Sequence, residues 1–132
     1  MKTAPLVLLA LLLAGCVLCK TPSSFAERRA QYLADLPQQR ERQWGPCECT
    51  YRFLEDTGAA GVPVVLQALD SFSGHTNSQM RALIVDGAWH FSRGTNSVVA
   101  PIMGRAAHDP AAEVNAPAKK WFTQQREAKK QN

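Results

Sequence analysis

The sequence predicts an α+β fold, a small antiparallel β-sheet with a central hairpin covered by N- and C-terminal helices. Three observations lead there. Apolar and polar residues alternate over residues 47–54, Asp86-Gly87 separates two apolar runs, and helical spacing with capping residues marks both ends of the chain beyond residue 24. With 132 residues, 45% of them apolar and 20% charged, the chain has globular composition and room for one domain.

Taken in order, the first element is a helix from Ser24. Ser24 is placed to cap it, Glu27 is the third residue after the cap, and Phe25, Ala30, Tyr32, Leu33 and Leu36 gather on one side until Pro37 ends or kinks it. Residues 38–43 are too polar to be buried, and Trp44 is the next apolar anchor. Beyond Gly45-Pro46, Cys47, Cys49, Tyr51 and Phe53 alternate with Glu48, Thr50 and Arg52, which predicts a strand over 47–54 with the cysteines and aromatics facing the core. Asp56-Thr57-Gly58 marks a turn. Over residues 62–72, Val62, Val65, Leu66 and Leu69 fit a helix with Pro63 in its first turn, a reading preferred to an edge strand at 62–66.

Residues 73–78 read as a loop. The central hairpin then pairs residues 81–85 with 88–92 across Asp86-Gly87, the dipeptide a type I′ turn favours, sending Trp89 and Phe91 to the core and Ala88, His90 and Ser92 to the other face. Residues 98–100 add a strand before Pro101. Asp109-Pro110 reads as a cap and first-turn proline opening a short helix through Val114, and Pro117 starts the last helix.

The first twenty residues differ from the rest. Lys2 is followed by an unbroken apolar run over residues 6–13 that ends in Ala14-Gly15, the form of an export signal rather than of a permanent span. Leu13-Ala14-Gly15-Cys16 resembles the lipobox of bacterial lipoproteins, in which cleavage precedes the cysteine and its thiol takes a diacylglycerol. The resemblance covers the export segment alone. It implies a signal peptide over 1–15, a lipidated N-terminus at Cys16 with a polar tether over 16–24, and a single domain over 25–132. It also implies the outer membrane, on its periplasmic side, because Val17 rather than an aspartate follows the cysteine. The alternative is an ordinary secretory signal cut near Cys16 or Cys19.

Export brings the remaining cysteines into oxidising surroundings, so Cys19, Cys47 and Cys49 are candidates for a disulfide or for buried thiols. On a strand, the Cα atoms of Cys47 and Cys49 would lie about 6.6 Å apart, near the upper edge of disulfide geometry. A metal or redox site at Cys47-Glu48-Cys49, completed by His75, His90 or His108, is the sharper but less favoured reading, since no second ligand pair stands at a metal-binding spacing. No cofactor motif is present, Glu55-Asp56 sits at a turn, and a catalytic role for His90 is set aside, so no catalytic residue is assigned.

Charge is unevenly distributed. Residues 117–132 carry +4, whereas residues 16–116 sum to −1. Lys119, Lys120, Trp121, Arg126, Lys129 and Lys130 are therefore the candidate partner or lipid surface, a basic C-terminal helix with an aromatic side; the preferred plainer reading is a helix docked through Trp121 and Phe122 with solvated lysines. The functional expectation is a non-catalytic envelope lipoprotein that binds or braces another protein, of accessory, immunity or exclusion type. It would touch the membrane through its lipid and would not bind nucleic acid. The alternatives are a freely secreted binding domain or inhibitor and, less favoured, a cysteine-based metal or redox protein.

Overall fold

The computed structural model describes residues 24–39, 48–93 and 96–132. Of these, 88% are helical and none is in a strand, so the expected α+β architecture with its antiparallel sheet is replaced by a helical bundle. The described α-helices are α1 (Phe25–Gln39), α2 (Glu48–Thr57), α3 (Val62–Ser71), α4 (Ser78–Ser92), α5 (Ala100–Ala107) and α6 (Ala112–Lys130), with 3-10 turns at Gly58–Gly61, His75–Asn77 and Ser97–Val99. Helix α4 is the axis of the packing, with α2 and α6 laid against it. Helix α5 bridges α6 and α3, and α1 closes over α2.

Helix α1 begins as the cap predicts, with the Glu27 backbone N–H donating to Ser24 Oγ at 3.1 Å. It buries Tyr32, Leu36 and Gln39 and takes Pro37 into its last turn rather than ending there. Helix α3 is a helix, as its spacing predicts, with Pro63 in its first turn.

Three of the expected strands, 47–54 and the two of the hairpin, are helical for one physical reason. In residues 47–54 the alternation of Cys49, Tyr51 and Phe53 coexists with a second spacing, Thr50, Phe53 and Leu54, and these three are the residues α2 buries. The period-2 pattern lost because Tyr51 and Cys49 need be only half buried. Likewise, α4 buries Met80, Arg81, Ile84, Val85, Gly87, Ala88 and Ser92, a stripe three to four residues apart that runs through the expected hairpin turn. A glycine inside a helix costs about 1 kcal/mol relative to alanine, less than the burial of Ile84 and Val85 contributes. Asp86-Gly87 is therefore mid-helix. Trp89 and Phe91 are both half buried against the core and, two residues apart on a helix, do not share a face. The strand expected at 98–100 is a 3-10 turn leading into α5, with Asn96 Oδ1 accepting from the Val98 N–H at 2.9 Å. The two C-terminal segments expected on either side of Pro117 form one helix, with Pro117 inside α6.

The core is continuous. Leu36, Leu54, Val65, Ile84, Val85, Val99, Ile102, Met103 and Val114 are all but inaccessible to solvent. Tyr32 stacks on Phe53 with ring centroids 4.4 Å apart and planes 8° from parallel, and its hydroxyl lies 2.9 Å from Thr50 Oγ1. Burial pushes the Tyr32 hydroxyl well above the usual tyrosine range, so it stays protonated and hydrogen-bonded. Tyr32→Phe keeps the ring contact and removes this bond. It should lower stability by about 1 kcal/mol in a urea titration, and an unchanged midpoint would show that the bond joining α1 to α2 contributes nothing.

Candidate functional site

At one end of the bundle, the loop after α3, the first turn of α4 and the link between α5 and α6 enclose a cleft of about 380 Å³. Its polar walls are Asp70, Ser73, Arg81, Arg105, His108 and Asp109, and Leu69, Ala106 and Val114 form its apolar floor. Arg81 organises it. The guanidinium meets the Asp109 carboxylate in a bidentate pair, Nε to Oδ2 at 2.7 Å and Nη2 to Oδ1 at 3.1 Å, while Nη1 donates to the Phe72 and Gly74 carbonyls at 2.8 and 2.7 Å. Gly74 reaches this position with φ of 100°, backbone that a side chain would strain.

Asp109 serves three partners. Its Oδ1 also accepts the Ala111 N–H at 2.9 Å, and its backbone carbonyl accepts Asn115 Nδ2 at 2.8 Å, so the carboxylate that holds Arg81 also turns the chain into α6. The hydrogen bond from Arg81 holds the Asp109 carboxyl below the usual carboxylate range against the opposing effect of burial, with the Ala111 N–H assisting. The same bond pushes Arg81 up. At the mouth, Arg105 pairs with Asp70, and His108 Nδ1 donates to the Gly104 carbonyl at 2.9 Å.

The chemistry this permits is limited. Arg81 is taken up by four acceptors, Arg105 by Asp70, and no serine among the described cleft residues is hydrogen-bonded to a histidine. The arrangement fixes three chain segments to one another and has the character of a structural latch.

The residues singled out in the sequence are dispersed. Cys16, Cys19 and Cys47, with the export signal and tether, lie outside the described residues. Cys49 is half buried in the first turn of α2, against the core. His75 opens a 3-10 turn, His90 lies on α4 with its Nε2 3.7 Å from Asp86, and His108 borders the cleft, so the three histidines are on separate elements. Among the described residues no three His, Cys, Asp or Glu side chains converge as metal ligands would. In α6, Lys119, Lys120, Arg126, Lys129 and Lys130 are exposed, but Trp121 is 2% exposed and belongs to the core. Trp121 is thus separated from the basic surface it was grouped with.

The sequence alone does not mark Arg81 or Arg105, and it offers Asp109 only as a helix cap. One signal was available for Arg81, a lone cation at a position that α4's spacing turns inward. No protein-family model, curated protein or solved structure matches this chain.

Proposed function

We propose that this is an exported, lipid-anchored protein whose helical domain binds or braces another protein without catalysis, in the manner of accessory, immunity or exclusion lipoproteins. The observation that carries the reading is Leu13-Ala14-Gly15-Cys16 at the end of the apolar run over residues 6–13. Val17 after the cysteine favours the outer membrane, facing the periplasm. A diacylated and N-acylated cysteine holds a protein stably at a bilayer, where one chain holds it only marginally. The described helices share one core, and the ionic cleft holds segments together rather than presenting a reactive pair.

The intact mass of the mature protein tests this. The expected mass is that of a chain beginning at Cys16 with acyl groups attached, and Cys16→Ala should abolish incorporation of labelled palmitate. A mature N-terminus elsewhere, or an unacylated Cys16, would overturn the anchor.

A further inference from the structure

The solvent side of α6 carries a line of positive charge with a single acid, Glu127, beside it. Lys119, Arg126 and Lys130 are spaced seven and four residues apart, so on a helix they fall within about 20° of one line. All three are exposed. The line runs about 135° around the helix axis from the buried one, which is formed by Val114, Ala118 and Trp121. Thr123 supports it, since Arg126 Nη2 donates to Thr123 Oγ1 at 3.2 Å and that hydroxyl donates to the Lys119 carbonyl at 3.2 Å. Lys120 and Lys129 flank the line. Every ion pair among the described residues uses other cations, so none of these five is neutralised within the domain. Residues 126–130 are exposed on every side, so the end of α6 stands clear of the core.

We propose that the Lys119–Arg126–Lys130 stripe seats the domain on an anionic phospholipid surface by contacting headgroup phosphates, while Trp121 stays in the core. The proposal rests on the reading of Cys16 as the lipid anchor. Seven residues lie between Cys16 and Ser24, so the eight Cα-to-Cα steps reach about 28 Å at most, which is no more than the width of a domain this size. An anchored domain on that tether is held at the bilayer continuously, and the stripe has only to choose its orientation. A protein hot spot is built on Trp, Tyr and Arg anchors clustered in a fully desolvated pocket. The stripe offers Arg126 alone on an exposed helix end, and Phe122, the neighbouring aromatic, packs against the core. Attraction to headgroups needs only charge, each basic residue strengthening it about five-fold.

The test uses the mature protein as purified from cells, incorporated into vesicles of phosphatidylcholine alone or with phosphatidylglycerol added. Acylation of Lys119 and Lys130 by a water-soluble amine reagent is followed residue by residue. The expected result is labelling about five-fold slower on the anionic vesicles, recovered at 1 M salt, where the screening length is about 3 Å. Arg126→Glu should remove most of the protection without altering the helical circular dichroism signal. Equal labelling on the two kinds of vesicle would overturn the proposal. So would protection that arises only when an envelope protein extract is added, which would assign the stripe to a protein partner. The intact mass of the same sample reports the anchor separately, so an unacylated chain that is still protected on anionic vesicles would remove the anchor and keep the stripe.

Discussion

Arg81→Met is expected to lower the stability of the domain by about 3–5 kcal/mol, the usual cost of removing one partner of a buried ion pair. The side chains of Arg81 and Asp109 are 7% and 12% exposed, so the carboxylate left behind cannot recover its hydration in water. The Phe72 and Gly74 carbonyls lose their donor at the same time, and the loop they belong to loses its tie to α4. For a domain whose total stability is about 5–15 kcal/mol, that is a large fraction. Urea unfolding measures it, and a loss under about 1 kcal/mol would show that the latch is replaceable by packing.

The same pair sets a pH dependence. Asp109 has a lower pKa folded than unfolded, so its contribution is complete above the unfolded carboxylate value near 4 and is lost as pH falls through the folded value. The melting temperature should therefore drop on acidification below about pH 4, and Asp109→Asn, already destabilised at neutral pH, should drop less steeply.

How far the sequence discloses this structure depends on the range of the interaction involved. Ser24 with Glu27, and Val62 through Leu69 with Pro63, act within one or two turns, and both helices are legible. Asp86-Gly87 is also a local signal, but its preference for a tight turn is weaker than the burial gained when Ile84, Val85 and Ala88 form one helical stripe against α2 and α6. Cys49, Tyr51 and Phe53 mislead differently, because over so short a segment the 2-residue and 3.6-residue periods both fit, and only the packing of Thr50 beneath Tyr32 decides between them. In the cleft, the expected cap at Asp109 with Pro110 in a first helical turn is displaced, since α6 begins at Ala112 with Ala111 as its cap and the Asp109 carboxylate accepts the Ala111 N–H in the turn before it. Its role as the partner of Arg81 is not legible, since the two are 28 residues apart and nothing in either local sequence names the other.

Trp121→Ala should cost about 3–5 kcal/mol, a loss of the same order by a different mechanism. The indole is 2% exposed, meets Phe122 edge to face with centroids 5.0 Å apart, and lies in the seam where α6 packs on α4. Its Nε1 donates to Ser92 Oγ at 3.2 Å, and the Ser92 hydroxyl donates to the Trp89 carbonyl at 2.8 Å, so the ring also ties α6 to the last turn of α4. Truncation removes the largest side chain from that seam, and the helices can close the cavity only by shifting along their whole contact. Trp121→Phe isolates the polar part, keeping most of the apolar volume while dropping the N–H, and should cost about 1–2 kcal/mol. Lys119→Gln and Lys130→Gln, exposed on the same helix, should stay within about 0.5 kcal/mol. The series is read as urea midpoints at constant slope. A Trp121→Ala protein with an unchanged midpoint would place the indole on a working surface instead. The expected large fall assigns Trp121 to the packing of α6 on α4, apart from the exposed Lys119, Arg126 and Lys130.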